Sequence, residues 1–208
     1  MKRCVIVGGA PINNYEEISD FLKNDDYFIF CDCGLSHREK LGIEPNLIIG
    51  DFDSYIKPET DIETIVLPCE KDDTDTVFAV KEALKRGFEE FLIIGAAGGR
   101  FDHTLGNISI LTMLRRLNKK ATLIDDFSEM EIISKEEVSI SDSYPYFSLI
   151  AINGKAEGIT IKNAKYPLEN AAIEPDYQYG ISNKVIKGKD ARVFVESGEL
   201  LLIKVRHE

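Results

Sequence analysis

Leu47-Ile48-Ile49-Gly50-Asp51-Phe52-Asp53-Ser54 is a short apolar run that stops abruptly at a glycine and two aspartates. The run reads as a strand, and the acidic tail as a turn just past its carboxyl end. The same pattern recurs along the first part of the chain. Cys4–Val7, Tyr27–Cys31, Thr64–Leu67, Phe91–Ile94 and Ala121–Ile124 join Leu47–Ile49 as predicted strands. Tyr15–Lys23, Leu35–Leu41, Thr76–Arg86 and Thr104–Leu117 read as helices between them; in the third, Val77, Val80, Ala83 and Leu84 recur on one face. Strands alternating with helices predict βαβ units and a parallel sheet with helices on both faces.

Beyond Asp125 the texture changes to short alternating strands broken by Gly154, Gly158, Gly180, Gly188 and Gly198, with no helical stripe longer than a turn. This predicts a small antiparallel sandwich. Its clearest expected hairpin pairs Ala191–Glu196 with Glu199–Lys204 through Ser197-Gly198. The boundary falls near Phe127–Glu131, which gives an α/β, parallel-sheet, Rossmann-like domain over residues 1–126 and an all-β sandwich domain over 132–208. No internal repeat or low-complexity tract interrupts either part.

At 208 residues the chain can bury a proper core without disulfide staples. Cys4, Cys31, Cys33 and Cys69 read as free thiols, because the Cys31-Asp32-Cys33 spacing is tighter than zinc pairs use and no second pair follows. A net charge of -11 argues against nucleic acid or anionic lipid as partner. No apolar run approaches the roughly 20 residues that span a bilayer. The start MKRCVIVGGAP enters a Gly-rich turn instead of a signal-peptide core, so a cytoplasmic protein is expected.

Acidic motifs stand after four of the predicted strands: Asp32-Cys33-Gly34, Asp51-Phe52-Asp53, Lys71-Asp72-Asp73-Thr74-Asp75 and Gly98-Gly99-Arg100-Phe101-Asp102-His103. Parallel strands share one carboxyl edge, where doubly wound folds bind ligands, so distant motifs are expected to converge. Carboxylates gathered there repel one another unless a cation joins them or some are protonated. An oxygen-only set suits magnesium (Mg2+), held by carboxylates together with substrate phosphates. Gly95, Gly98 and Gly99 before a helix, and Gly8-Gly9 after the first strand, leave backbone free to approach phosphate, and Arg100 adds forked donors. Lys71 is either a solvated ion pair or a phosphate ligand.

Each motif also has a plainer reading. Asp51 and Asp53 suit Asx turns; Asp73 or Thr74, and Asp102 or His103, suit helix caps. His103 reads as a base or a cap. Gly180-Ile181-Ser182-Asn183 reads as a turn that opens a strand. Four acidic motifs on one edge are more than capping alone explains.

LGIEPNLIIGDFDS at Leu41–Ser54, KDDTDT at Lys71–Thr76, GAAGGRFDHTLGNI at Gly95–Ile108, YPLEN at Tyr166–Asn170 and GISN at Gly180–Asn183 together resemble the thiamine pyrophosphokinase family, over nearly the whole chain. The resemblance implies an α/β nucleotide-binding catalytic domain and a β-sandwich thiamine-binding and dimerisation domain. It implies a homodimer with its active site between subunits, which uses ATP and magnesium to convert thiamine to thiamine diphosphate and AMP. Carried over, Asp51, Asp53 and Asp75 are the metal-linked carboxylates, and Asp102 completes the catalytic group. Gly8, Gly9, Asp32, Gly34, Lys71, Asp73, Thr74, Gly99 and Arg100 lie around ATP. Ser182 and Asn183, with Asp102 and His103, face thiamine. Two departures stand out: Cys33 where a glycine is usual, and Asn163 where a glycine is common.

The expected reaction is in-line attack of the thiamine hydroxyl on the β-phosphorus of ATP, with Asp102 or Asp75 orienting or deprotonating the hydroxyl. A magnesium phosphohydrolase competes with this reading, as does a non-catalytic nucleotide- or thiamine-binding module. The Asp51–Asp53 pair comes after the third strand, whereas aspartyl-phosphate chemistry usually places it on the first.

Overall fold

The computed structural model describes residues 3–53, 55–177 and 179–207, so Ser54, which ends the opening motif, lies outside the described residues. The chain forms two compact units, Met1–Asp126 and Phe127–Glu208.

In the first unit β1 (Cys4–Val7), α1 (Tyr15–Ser19), β2 (Tyr27–Cys31), a 3-10 segment (Asp32–His37) running into α2 (Arg38–Leu41), β3 (Leu47–Gly50), β4 (Thr64–Val66), α3 (Asp75–Lys85), β5 (Glu90–Ile94), α4 (Phe101–Arg116) and β6 (Lys120–Ile124) occur in that order. All pairings among these strands are parallel, in the spatial order β6-β5-β1-β2-β3-β4. The chain builds outward from β1 to β4, then returns to the other side of β1 at β5. The topological switch therefore opens between the carboxyl ends of β1 and β5.

Both faces of this sheet are covered. Val5, Val7, Phe28, Phe30, Ile48, Leu92 and Ile94 form one core with Ile18, Leu35 and Leu41 from the α1 and α2 side. Helix α3, none of whose buried residues joins that cluster, packs across β1, β2 and β3. Fully buried Phe30, Ile6, Ile29 and Ile93 each stabilise the unit by roughly 1.5–3 kcal/mol relative to exposure.

Two helices are shorter than their apolar patterns. The pattern of α1 extends to Lys23, but the helix stops at Ser19, whose hydroxyl bonds back to the Tyr15 carbonyl at 2.7 Å. Its continuation makes tighter turns, with Phe21 N–H donating to the Ile18 carbonyl and Leu22 N–H to that of Ser19. The Leu35–Leu41 pattern is only half α-helical, because the chain turns sharply at Asp32 (φ 26°) and enters as 3-10.

In the second unit β7 (Ser128–Ile133), β8 (Glu137–Ile140), β9 (Tyr146–Ala151), β10 (Ala156–Lys162), β11 (Leu168–Ile173), β12 (Gly180–Asn183), β13 (Ala191–Phe194) and β14 (Leu200–Val205) form two antiparallel sheets, β12-β9-β14-β7 and β11-β10-β13-β8. Ile133, Phe147, Leu149, Leu200 and Leu202 of one sheet pack with Ile140, Ile159, Ile161 and Val193 of the other in a single core. The expected hairpin at Ser197-Gly198 does not form. β13 pairs with β10 and β8, whereas β14 pairs with β7 and β9, so the chain crosses from one sheet to the other. Ser197 is held by a bridge to Glu157, and Gly198 (φ 86°) passes so close to the Lys155 carbonyl that a Cβ would lie 2.6 Å from it. A pair suited to a tight turn thus serves as a corner.

Among the described residues no helix is long and apolar enough to cross a membrane.

Candidate active site

A cleft of about 650 Å³ lies at the carboxyl edge of the parallel sheet and is lined entirely by the first unit. Its floor is the switch point. Gly8 and Gly95 face each other so closely that a Cβ on either would lie 2.5 or 2.4 Å from the other's carbonyl oxygen. Gly8 N–H donates to the Ile94 carbonyl and Ala10 N–H to the Gly95 carbonyl, which tie the turn after β1 to the end of β5. Farther along that turn the Asp126 carboxylate accepts the N–H groups of Asn13 and Asn14 and the Asn13 amide. Buried His37 bridges the Ala10 carbonyl at 3.0 Å and the Tyr15 hydroxyl at 2.7 Å. The neutral ring that satisfies both carries its proton on Nε2. Burial holds this histidine below its usual pKa, against the pull of the Ala10 carbonyl.

Three carboxylates meet in the cleft. Asp32, at the end of β2, Asp51, at the end of β3, and Asp75, the first residue of α3, each offer an oxygen within 4.8 Å of the others. Asp32 is only 6% exposed, and its Oδ1 is buried with no hydrogen-bond partner. Lys71 Nζ is paired to Asp51 Oδ2 and lies 3.0 Å from Asp75 Oδ1, the latter an ion pair outside hydrogen-bond geometry. The protonation preferences result from this arrangement. Burial raises Asp32, and the charges of Asp75, Asp51 and Asp53 add to that, against the Cys33 thiol. Burial also raises Asp75, against Lys71. Asp51 is lowered by its bond to Lys71. Burial alone would lower Lys71, yet Asp51 and Asp75 hold it above the ordinary lysine value. The motifs do converge as parallel topology requires.

The other expected residues divide. Asp53, Asp73, Thr74, Gly8, Gly9, Gly99, Arg100 and His103 line the same cleft. Asp53 is exposed and outside the close carboxylate group; its N–H donates to Asp51 Oδ1 at 3.3 Å. Asp73 pairs with Lys81 at 2.6 Å. Thr74 caps α3 by accepting the Val77 N–H. Asp102 is not among the lining residues. It pairs with Arg100 at 2.6 Å on a side chain 65% exposed, and Arg100 lowers its pKa to about 2. Neither Asp102 nor His103 caps α4, which already begins at Phe101. Gly34 stands behind the cleft, where a Cβ would lie 2.2 Å from the Val7 carbonyl oxygen.

Asn107, absent from the residues expected around the ligands, also lines the cleft. It is buried on α4 and its Nδ2 donates to the Ala96 carbonyl at 2.7 Å. An amide beside the apolar positions Ile110, Leu111 and Leu114 was the available signal. Cys33 is half-buried, packs its Cβ into the space left by Gly9, and directs its thiol to Asp32 Oδ2 at 3.5 Å. Cys4 and Cys31 are buried free thiols, and Cys69 is exposed at the cleft.

In the second unit Ser182 is exposed at φ 57°, its N–H donating to the Ser148 hydroxyl. Asn183 is buried, and its amide is engaged by backbone: Oδ1 accepts the Tyr166 and Lys184 N–H groups, and Nδ2 donates to the Tyr166 carbonyl. Asn163 adopts φ 57°, which explains why a glycine is suited there and why asparagine substitutes for it.

Two family models match the chain. "Thiamin pyrophosphokinase, catalytic domain" covers residues 18–123, and "Thiamin pyrophosphokinase, vitamin B1 binding domain" covers 129–200. The thiamine pyrophosphokinase of Bacillus subtilis is 32% identical over 98% of this chain and 99% of its own. A crystal structure of a Bacillus subtilis thiamine pyrophosphokinase superposes with TM-score 0.88 at 27% identity over the full length of both chains. One from Geobacillus thermodenitrificans gives 0.84 at 25% identity, covering 99% of this chain and 98% of that one. Sequence and fold agree: the chain belongs to the thiamine pyrophosphokinase family.

Proposed function

We propose that the chain is a thiamine diphosphokinase, which transfers the diphosphoryl group of ATP to the hydroxyl of thiamine and releases thiamine diphosphate and AMP. The observation that carries this reading for the cleft is the meeting of Asp32, Asp51 and Asp75 beside two glycine turns at the switch point.

The donor set suits magnesium. It is made of oxygen alone, and the buried, unpartnered Oδ1 of Asp32 is the kind of atom a bound cation satisfies. Asp51, Asp75 and Asp32 are proposed as its holders, and the exposed Asp53 as a further acidic group toward the nucleotide. When bound, magnesium supplies positive charge to the phosphate oxygens of ATP.

The chain's own residues do the rest. The turns at Gly8-Gly9 and Gly98-Gly99 admit phosphate close to backbone, and Arg100, oriented by Asp102, supplies forked donors. Lys71 brings a second cation, and spreading charge over the transferring oxygens is the main contribution an enzyme makes to such a step. Asp75 is the better group to orient the thiamine hydroxyl, because it lines the cleft whereas Asp102, held at about 2 by Arg100, is a weak base outside it. In the second unit, exposed Ser182 is proposed to face thiamine, and Asn183 to shape the Tyr166 segment. The homodimer with a shared active site and the cytoplasmic setting belong to the same proposal; a monomer mass by light scattering at assay concentration would remove the former.

The test is stoichiometric. Thiamine, ATP and magnesium with the purified protein should yield AMP and thiamine diphosphate in equal amounts. Release of ADP, or of inorganic phosphate without thiamine, would overturn the assignment.

A further inference from the structure

Lys71 occupies a place that the proposed metal also needs. Its Nζ is paired with Asp51 Oδ2 and stands 3.0 Å from Asp75 Oδ1, and its side chain is 15% exposed. Asp51 and Asp75 are two of the three carboxylates whose oxygens lie within 4.8 Å of one another; the third, Asp32, keeps a buried oxygen with no partner. An ammonium and a divalent cation on the same oxygens repel each other at a few ångströms, and the repulsion is strong where water is partly excluded. The two cannot both hold the same oxygens at full strength.

Resting on the magnesium reading above, we propose that Lys71 is an exchangeable counter-cation: without nucleotide it neutralises Asp51 and Asp75, and it gives up those carboxylates when the metal enters with the nucleotide phosphates. The lysine then moves along its four-carbon stem to the phosphates. Such a stem can change partners without moving the backbone, which the rigid fork of an arginine does less readily. The arrangement has a physical advantage. Three carboxylates this close repel each other in the empty cleft, and Lys71 relieves that strain; with metal and phosphate bound, the same positive charge is needed on the phosphate instead. The inference assigns one residue two positions and makes binding of free metal weaker than binding of metal with nucleotide.

The consequence has opposite signs for two ligands, which a merely structural lysine would not produce. Lys71→Met should bind Mn2+ alone more tightly than the wild type, by on the order of tenfold for a removed competing charge. It should bind the Mn2+ complex of a non-hydrolysable ATP analogue more weakly by a similar factor. Lys71→Arg, which retains the charge, should keep the weak affinity for Mn2+ alone. Free Mn2+ is read by electron paramagnetic resonance and nucleotide binding by titration calorimetry. Equal or weaker Mn2+ binding by Lys71→Met overturns the proposal while leaving the metal site intact. Absence of Mn2+ binding in wild type and variants alike, with or without nucleotide, overturns the magnesium reading itself and the exchange with it. If Lys71→Met does not fold, acetic anhydride labelling of the wild type decides: Mg2+ alone, at saturating concentration, should raise acetylation of Lys71 several-fold as the amine leaves its carboxylates, and unchanged labelling overturns the exchange.

Discussion

Gly34→Ala tests whether the back wall of the cleft is as tight as the fold makes it. Gly34 has no positive φ, so the substitution introduces a steric problem without backbone strain. The new Cβ would meet the Val7 carbonyl oxygen at 2.2 Å, the Val7 carbonyl carbon at 2.9 Å and the Gly8 carbonyl oxygen at 3.2 Å. All three atoms are backbone, at the end of β1 and in the turn beyond it, so no side chain can rotate away. Relief requires a shift of roughly 1 Å, and overpacking of this kind costs about 1–3 kcal/mol. With a urea m-value of about 2 kcal/mol/M, the unfolding midpoint should fall by on the order of 1 M. Function should suffer more than stability, because the two segments that must part carry Asp32 and Gly8, both lining the cleft. A misplacement of that size at a reacting centre costs on the order of 100-fold in rate. AMP release with thiamine and ATP measures it. Gly42→Ala is the control: its Cβ meets nothing within 4 Å but sits at φ 65°, so it should lose stability and keep turnover. A Gly34→Ala protein with wild-type midpoint and wild-type turnover would refute the account of the cleft.

Three further outcomes are expected from the same geometry. Asp75→Asn should lose at least about 100-fold in turnover yet unfold at the same or a higher urea concentration; burial raises the pKa of Asp75, so the unfolded chain ionises it more readily and its charge weighs against folding at neutral pH. A marked fall in midpoint would show that Lys71 stabilises the charge more than burial disfavours it. Asn183→Ala leaves two backbone N–H groups and one carbonyl without their partner in a buried place, which should cost roughly 1–3 kcal/mol and raise the KM for thiamine, whereas Ser182→Ala should raise KM with little loss of stability; an unchanged Asn183→Ala midpoint would remove the clamp on Tyr166. For His37, whose pKa burial depresses from 6.5, the unfolded chain binds the proton more readily, so stability should be complete above about pH 6.5 and decline as pH falls through that value. His37→Gln should flatten that decline in urea midpoints between pH 5 and 7.5, and an identical slope would exclude His37 as its source.

The parallel sheet was legible because every one of its strands is a short apolar run bounded by turn chemistry, and the chain order of such runs leaves little choice of topology. What the letters could not carry is pairing at a distance. Ser197-Gly198 has the composition of a hairpin turn, yet its geometry is decided by Glu157 and Lys155, which reach it from β10 and the turn before it. Helix α1 shows the same limit on a smaller scale, since Ser19 chose its own backbone partner over the pattern that continues to Lys23. At the cleft, the convergence of the Asp32, Asp51 and Asp75 motifs was readable, and which carboxylates come closest was not. Asp53 is as close in sequence to Asp51 as a partner can be, but the carboxylate that joins Asp51 and Asp75 is Asp32, from a different strand. Asp102 belongs by sequence to the glycine-rich motif and by contact to Arg100.

The plain and the functional readings of these aspartates turn out not to exclude each other, because a carboxylate has two oxygens. Asp51 Oδ1 accepts the Asp53 N–H and ends a strand, while Oδ2 faces Lys71 in the cleft. Thr74 caps α3, and in doing so fixes the residue after it, Asp75, as the first of the helix with its carboxylate toward Lys71. Structural service of this kind positions a group for chemistry at no loss, provided one oxygen is left over. Asp102 shows the same division, Oδ1 receiving Arg100 Nε and the His103 N–H and Oδ2 receiving Arg100 Nη2, but its side chain is exposed and does not line the cleft. Asp32 has the surplus in the strongest form, one oxygen beside the Cys33 thiol and the other buried with nothing to bind. A buried carboxylate oxygen without a partner is costly to a fold, and a site that receives a cation is the condition under which the cost is recovered. By that criterion Asp32, more than Asp53 or Asp102, is the residue around which the proposed metal site is built.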